Sequence, residues 1–121
     1  MSTTATVIHH RWSNIPSESV ASGIQRQFIT ADRVTVARFQ LRRGGVVPRH
    51  AHEAEQLTCL LSGALRFVLD GRDVIVRAGE VLQIPSWCAH EVEVLEDASV
   101  IDVFSPVRQD WIDKTDDYFR R

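Results

Sequence analysis

The sequence predicts an all-β fold in which antiparallel strands close into one barrel or sandwich. Three observations support this prediction. Short β-rich segments recur along the chain, turn-forming residues separate them at short intervals, and no long helix joins one strand to the next. The chain has 121 residues, of which 44% are hydrophobic. It is therefore long enough to bury one core without a disulfide, and we expect a single domain.

The first part of the chain carries the weakest pattern, and we treat residues 1–32 as an N-terminal segment that contributes edge strands. Short β-type runs at 7–8 and 23–30 are the candidates. Residues 33–106 are predicted to form the barrel core, because apolar and polar residues alternate in most of its segments. The strands of this core are predicted at 33–41, 56–61, 64–69, 72–77, 80–84, 90–95 and 98–104.

Turn chemistry predicts one hairpin, and residue spacing predicts a terminal helix. Asp70 and Gly71 separate two alternating apolar segments. This dipeptide favours a tight type I′ turn, because glycine accepts a positive φ without steric cost. Residues 107–121 form a tail beyond the core, in which Trp111 and Phe119 are spaced to share a helical face. We expect a short C-terminal helix over 110–121.

Three of the five histidines and one glutamine have the spacing of a metal site. One residue separates His50 from His52, Gln56 follows four residues later, and His90 comes from a distant segment. Side chains of an extended strand alternate between its faces, so the even-numbered residues share one face and Glu55 lies on the other. Parity therefore selects Gln56 as the fourth ligand, and a curled sheet would bring His90 to the same point.

Three imidazoles and a neutral amide oxygen suit one divalent transition metal, such as zinc, nickel, iron or manganese. The amide carries no charge, so the site holds less negative charge than one with a carboxylate and favours an anionic exogenous ligand. Four protein ligands also leave open positions on an octahedral metal, as catalysis requires. The alternative is a chance pair of exposed histidines. The glycine and proline residues around both histidine segments argue against it.

The first histidine segment resembles the first motif of the cupin superfamily. That motif reads G-x5-HxH-x3-4-E-x6-G, and Gly44, His50, His52, Gln56 and Gly63 stand at its positions. The glutamine replaces the usual glutamate ligand. The resemblance implies a single-domain cupin β-barrel of the jelly-roll type with a metal site inside it.

The second segment resembles the second cupin motif, G-x5-P-x-G-x2-H-x3-N. Gly79, Pro85 and His90 match it, whereas Trp87 replaces the second glycine and Val94 the asparagine. These two departures are common and do not threaten the fold. Cupins include isomerases, dioxygenases, lyases and binding proteins, so the fold alone does not fix the reaction.

The last predicted strand carries a carboxylate among apolar residues. Asp102 and Phe104 share a face by parity, and Arg108 follows just beyond Pro106. A strand this apolar seldom carries a carboxylate that is neither paired nor functional. Two interpretations remain open. One is a structural Asp102–Arg108 salt bridge with Phe104 in the core, and the other is a site where Arg108 grips a substrate carboxylate.

The segment DVFSPVRQDW, together with HxHxxxQ, is similar to the small pectin-degradation cupins of the KdgF type. The resemblance implies an enzyme that opens the ring of 4,5-unsaturated monouronates from pectin or alginate and releases the linear keto acid. It also implies a carboxylate-bearing sugar as substrate, one divalent metal per chain and a homodimer. The implied metal ligands are His50, His52, Gln56 and His90, and the implied catalytic residues are Asp102, Phe104 and Arg108.

Under this hypothesis Asp102 moves a proton as general acid and base, Arg108 neutralises negative charge, and Phe104 forms a wall that excludes water. Burial would raise the pKa of Asp102 and Arg108 would lower it, and the sequence leaves that balance open. Two other classes of function remain. One is another metal-dependent cupin enzyme, such as a dioxygenase or lyase, and the other is a cupin that binds a sugar or metabolite without turnover.

Composition excludes several partners. The formal net charge is −2, from 14 basic and 16 acidic residues, which argues against nucleic acid or an anionic membrane as a partner. Apolar runs are too short to cross a membrane, and the N-terminus lacks the pattern of a signal peptide. Cys59 and Cys88 form no CxxC pair, and we interpret them as thiols of a cytoplasmic protein.

Overall fold

The computed structural model describes residues 6–120, and over this range the protein is an all-β fold with one short α-helix. A 3₁₀ turn at Trp12–Asn14 precedes the sheet. Helix α1 (Gln109–Ile112) and a second 3₁₀ turn at Tyr118–Arg120 follow it. The strands of the described residues are β1 (Glu18–Ala21), β2 (Ile24–Thr30), β3 (Thr35–Leu41), β4 (Val46–His50), β5 (Glu55–Leu69), β6 (Arg72–Arg77), β7 (Val81–Ile84) and β8 (His90–Ser105).

Two long strands, β5 and β8, organise a single antiparallel sheet with the order β1-β2-β3-β8-β5-β6. They pair with each other from Glu55↔Ser105 to Val68↔Glu91. Each takes different neighbours along its two halves. Strand β5 pairs first with β7 and then with β6, while β8 pairs first with β4 and then with β3. The inward side chains of both halves line one interior, so the sheet closes on itself.

An irregularity in β5 allows this closure. Pairing with β8 shifts between Leu60 and Leu65, and Gly63 has a φ of +87° there. Thr58 and Leu60 face the interior before the irregularity, whereas Leu65 and Phe67 face it afterwards. The buried positions thus change from even to odd numbers. This is the expected effect of a bulge, which also bends the strand.

The sheet confirms the all-β prediction and corrects the division of its two longest strands. The predicted segments 56–61 and 64–69 are one strand, and so are 90–95 and 98–104. The residues between them, which resemble turns in sequence, continue the pairing through bulges. The local sequence indicates where each strand bends. It does not show that the neighbouring strand stays paired through the bend.

The hairpin between β5 and β6 is confirmed, but its turn type is not. Leu69 pairs with Arg72 across the turn. Gly71 has a φ of +81°, whereas Asp70 is not among the described residues with positive φ. A type I′ turn needs a positive φ at both central residues, so this turn belongs to another type.

The N-terminal prediction is corrected in two places. Val7 and Ile8 form no strand and are exposed. Strand β2 (Ile24–Thr30) lies between β1 and β3 rather than at an edge, and it pairs with β3 along its whole length. The sequence pattern missed β1, which has only four residues and no buried position.

The C-terminal helix is much shorter than predicted. It ends at Ile112, and Lys114 then adopts a φ of +58°, which no α-helix accommodates. Trp111 is buried and Phe119 half-buried, but they belong to separate turns instead of one helical face. Arg121, the last residue of the predicted helix, lies outside the described residues. No helix within 6–120 is long and apolar enough to span a membrane.

Aliphatic side chains make up most of the core, and several large aromatic rings pack among them. Phe67 of β5 and Phe104 of β8 are each 2% exposed, and the Trp111 ring meets Phe104 edge-on with centroids 5.1 Å apart. Complete burial of a large apolar side chain stabilises a fold by about 1.5–3 kcal/mol. Polar side chains share the protein interior, and several of them form the site. They are Arg26, Thr35, His52, Gln56, Thr58, His90, Asp102 and Arg108.

Candidate metal centre

Three histidines converge inside the barrel although they come from separate parts of the fold. His50 ends β4, His52 lies in the loop that follows, and His90 begins β8, where it pairs with His50. The ring centroids of His50 and His90 are 4.4 Å apart, and those of His52 and His90 are 5.2 Å apart. One ligand atom from each ring lies within 4.8 Å of the other two. The three rings can therefore share one metal ion.

The backbone fixes the tautomer of each ring. Every Nδ1 atom lies 2.8–2.9 Å from a backbone carbonyl oxygen two residues away along the chain. A carbonyl oxygen only accepts, so Nδ1 carries the hydrogen and Nε2 keeps its lone pair. Metal-bound histidines commonly use their second nitrogen in this way. The three carbonyl groups belong to Pro48, Ala54 and Cys88.

Gln56 brings a fourth lone pair to the cluster. Its side-chain nitrogen donates to Thr58 Oγ1 at 2.9 Å, which turns its Oε1 toward His52. Gln56 Oε1 then lies 3.1 Å from His52 Nε2. In a neutral ring with Nδ1 protonated, both atoms are acceptors, and no hydrogen bond can join them. A cation would satisfy both, so the donor set fits a divalent metal.

Parity predicted the orientation of Gln56 correctly, although the strand it assumed is interrupted. Gln56 is 4% exposed and faces the interior, while Glu55 faces outward. The residues between His52 and β5 form a loop and not a continuous strand. The prediction succeeds because alternation within β5 alone is enough to choose between the two neighbours.

Burial keeps the three rings neutral, which metal binding requires. Burial, followed by the neighbouring His90, lowers the pKa of His50 to about 3. Burial and the charge of Arg108 lower the pKa of His52 to about 4. Burial also lowers the pKa of His90. At neutral pH the three Nε2 lone pairs therefore face the site without competition from protons.

Asp102 lines the same cavity as His50 and His90. It is 8% exposed, and its Oδ1 has no hydrogen-bond partner among the described residues. Burial raises the pKa of Asp102 to about 6, although a hydrogen bond from Thr58 and the charge of Arg108 both lower it. Burial thus decides the balance that the sequence left open. A carboxyl group with such a pKa and a free oxygen can take up and release a proton near neutral pH.

Arg108 pairs with Asp110, so the interpretation of an Asp102–Arg108 salt bridge is wrong. Its Nε and Nη2 donate to the two carboxylate oxygens of Asp110 at 3.0 and 2.8 Å, and Nη2 also donates to the Tyr118 hydroxyl at 3.2 Å. Helix α1 begins next to Arg108 and carries Asp110 back to the guanidinium group. Burial lowers the pKa of Arg108, but Asp110 and Tyr118 together outweigh it, and the net pKa is raised.

Two aromatic rings contact the guanidinium group of Arg108. Its Cζ lies 4.7 Å from the Phe104 ring centroid and 4.3 Å from that of Trp111. A desolvated contact of this kind stabilises a cation by up to about 2 kcal/mol. Phe104 also meets the His52 ring edge-on at a centroid distance of 5.6 Å. Phe104 therefore forms a wall between the histidine cluster and Arg108.

Tyr118 also belongs to the cavity wall, although no pattern in the sequence pointed to it. Its ring stacks on His50 with centroids 4.1 Å apart and an interplanar angle of 2°. Its hydroxyl oxygen accepts hydrogen bonds from Arg108 Nη2 at 3.2 Å and Trp111 Nε1 at 3.4 Å. An aromatic residue in a polar terminal segment is the one available signal, and it is equally typical of ordinary packing.

A common cavity of about 50 Å³ is lined by His50, Gln56, His90, Asp102, Phe104 and Arg108. A wider cleft of about 230 Å³ lies beside His52, Trp87, Arg108 and Asp110. A buried acid, a buried cation and a three-histidine cluster are therefore grouped together. Such a group suits proton transfer on an anionic ligand of a metal ion.

This barrel and its histidine site define the class of the protein. The chain belongs to the cupin family, since residues 37–104 match the Cupin_2 family, described as a cupin domain. Among curated proteins it is similar to the pectin degradation protein KdgF of Dickeya dadantii. The two are 30% identical over 100 residues, which are 80% of this chain and 91% of the relative.

Comparison with solved structures also finds similarity to KdgF and to another cupin. The structure of KdgF from Halomonas sp. has a TM-score of 0.75 and 29% identity, over 82% of this chain and 94% of that chain. An RmlC-like cupin from Shewanella frigidimarina has a TM-score of 0.80 and 21% identity, over 88% of this chain and 96% of that chain. The second similarity concerns the fold alone. The first extends the resemblance to KdgF that the motifs implied.

Proposed function

We propose that the protein is a metal-dependent enzyme that opens the ring of 4,5-unsaturated monouronates and releases the linear keto acid. The observation that carries the proposal is the buried, unpartnered Oδ1 of Asp102 in the cavity of the three-histidine cluster. The similarity to KdgF of Dickeya dadantii, whose name assigns it to pectin degradation, supports a uronate as substrate.

The reaction moves a proton and changes no overall oxidation state. The anomeric hydroxyl loses its proton, and the bond between the anomeric carbon and the ring oxygen breaks. Carbon 4 gains a proton as carbon 5 becomes a ketone. Atoms and electrons balance without water or a redox partner. Asp102, with a pKa of about 6, can accept the first proton and deliver a proton to carbon 4.

His50, His52, Gln56 and His90 would hold the metal, for which zinc, nickel, iron and manganese are candidates. Bound there, the ion would supply Lewis acidity to the substrate oxygen on which negative charge develops. All four side chains are neutral, so the site would favour an anionic ligand. A uronate supplies that charge through its carboxylate.

Arg108 would attract the carboxylate of the substrate, and Phe104 would exclude water. Within the described residues, Nε and Nη2 of Arg108 donate to Asp110 and Tyr118, and Nη1 makes no hydrogen bond. Nη1 is therefore the nitrogen that remains for a ligand. Phe104 is 2% exposed and contacts both His52 and Arg108, so it keeps this side of the cavity apolar.

The test follows the absorbance of the conjugated C4=C5 bond of unsaturated galacturonate, guluronate and mannuronate. Native metal-loaded protein should accelerate its loss, and chelated protein should not. Asp102→Asn should keep its metal and lose about 10²–10⁴-fold in rate. Glu91→Gln, which changes a carboxylate on the outward side of β8, is the matched control and should keep the native rate.

Two results would refute the proposal. No acceleration on any of the three uronates would leave a metal-binding cupin of another activity. An unchanged rate for Asp102→Asn, with metal content equal to that of the native protein, would remove Asp102 from the chemistry.

A further inference from the structure

The cavity at the histidine cluster is too small for a sugar acid. It measures about 50 Å³, whereas pockets that hold small organic ligands span about 300–1,000 Å³. Tyr118 and Phe119 line this cavity, and Tyr118 is itself only 6% exposed. The C-terminal segment therefore fills space that an organic ligand would need.

Tyr118 makes the contacts that a ring-shaped, hydroxyl-bearing ligand would make. Its flat ring stacks on His50, and its hydroxyl oxygen accepts a hydrogen bond from Arg108. Arg108 is also the residue to which we assign the substrate carboxylate. Tyr118 thus fills the space beside the histidines and also accepts a hydrogen bond from the Arg108 guanidinium group.

An ion pair anchors the segment that carries Tyr118. Arg26 of β2 donates through Nη1 to Asp116 Oδ2 at 3.0 Å, and its Nη2 lies 2.8 Å from a Glu18 carboxylate oxygen. The side chains of Arg26 and Asp116 are 5% and 10% exposed. Lys114, with a φ of +58°, marks a sharp bend between α1 and this segment. The segment therefore follows α1 through a bend, lies outside the sheet and is held to it by an ion pair.

We propose that residues 113–119 form a lid whose Tyr118 stands in the ligand position, so that Tyr118 and an organic ligand exclude each other. A ligand then binds only the fraction of molecules with the lid open, and its apparent affinity falls by that fraction. Weakening the closed lid must therefore tighten binding. The inference rests on the proposed function only for the choice of a monouronate as ligand.

The test measures binding of galacturonate, a saturated uronate, to the zinc-loaded protein by calorimetry. Tyr118→Phe keeps the ring but removes the acceptor of two hydrogen bonds, and binding should tighten roughly five- to tenfold. Asp116→Asn removes the charge that pairs with the buried Arg26 outside the cavity, and binding should tighten at least about threefold. Asp113→Asn is the matched control within the lid and should leave the affinity unchanged. Zinc content is measured for every variant.

Ligand size and proteolysis give a second measurement. Formate fits the closed cavity, so its affinity should be the same in native protein, Tyr118→Phe and Asp116→Asn. Galacturonate should accelerate tryptic cleavage after Lys114 in the native protein, because an expelled lid is easier to cleave. Protection of Lys114 would mean that the lid closes over the ligand, and it would overturn the inference.

Three binding results would also overturn the inference. Weaker galacturonate binding by Tyr118→Phe would mean that the hydroxyl contacts the ligand. Unchanged binding by Tyr118→Phe and Asp116→Asn would mean that the ligand enters through the cleft beside Trp87. Absence of binding by all variants, Tyr118→Ala included, would leave the cleared cavity without the assigned ligand. Turnover of an unsaturated uronate is scored separately, so tighter binding without turnover upholds the lid while the ring-opening function fails.

Discussion

Replacing Asp102 with asparagine should stabilise the metal-free protein at neutral pH, although it should slow the proposed reaction about 10²–10⁴-fold. Burial raises the pKa of Asp102 from 3.8 to about 6. One pKa unit corresponds to about 1.4 kcal/mol, so keeping this carboxylate ionised inside the protein at pH 7.5 costs about 3 kcal/mol of folding free energy. Asparagine has nearly the same shape and carries no charge. The substitution should therefore raise the free energy of unfolding by about 3 kcal/mol.

The pH dependence of this stability difference shows whether the ionised carboxylate of Asp102 causes it. Between pH 3.8 and about 6 the folded protein binds more protons at Asp102 than the unfolded chain does. Its stability therefore falls as the pH rises through this window, and Asp102→Asn removes that fall. The three buried histidines titrate in the opposite sense, but they are common to both proteins and cancel in the difference.

The assay is urea unfolding of both chelated proteins at several pH values from 3 to 8. The difference between the variant and the native protein should be constant below pH 4 and should rise to its plateau above pH 6. Glu91→Gln, on the outward face of β8, should show no such rise. A difference that stays flat across this range would refute the burial of an ionised carboxylate, and with it the argument for Asp102 as the proton carrier.

Metal affinity and backbone strain give three further predictions. Gln56→Glu adds a negative charge about 3.1 Å from His52 Nε2, so the protein should bind zinc about tenfold more tightly in a competition titration. Equal or weaker zinc binding would contradict Gln56 as a ligand. Burial lowers the pKa of His50 to about 3 and of His52 to about 4. Zinc affinity of the folded protein should therefore fall less than about tenfold from pH 7.5 to 5.5, where three ordinary histidines would lose about 10³-fold. Gly63→Ala should lower the free energy of unfolding in urea by about 2 kcal/mol or more, because its Cβ would clash with a backbone carbonyl oxygen. Gly71→Ala, whose Cβ meets nothing within 4 Å, should cost only about 1 kcal/mol, and equal losses would contradict the clash.

Alternation within single strands was the reliable guide to the fold. Thr35, Ala37, Phe39 and Leu41 are alternate residues of the predicted strand 33–41, and all four are buried in β3. The same rule failed across β5, because Gly63 resembles a turn in sequence while β8 keeps the strand paired past it. That pairing joins residues far apart in the chain, so a local sequence pattern cannot predict it.

In the site, too, local patterns were predictive and contacts between distant residues were not. The motif spacing placed His50, His52 and His90 in one cluster, and the structure brings them together. Tyr118 could not be found in this way, because it reaches His50 only after the tail bends back across the barrel. The pairing of Arg108 depended similarly on where α1 begins, and the predicted helix started one residue later than it does in the structure.

Each histidine of the cluster takes its orientation from a carbonyl group two residues away in its own stretch of backbone. No other side chain is needed to set the three tautomers, so a sequence that preserves these short stretches preserves the coordination chemistry. The wall facing a ligand is encoded elsewhere, in Asp102, Phe104 and Arg108. The histidine cluster and the rest of the cavity wall thus come from separate stretches of the chain. A designer can exchange the second while leaving the first intact.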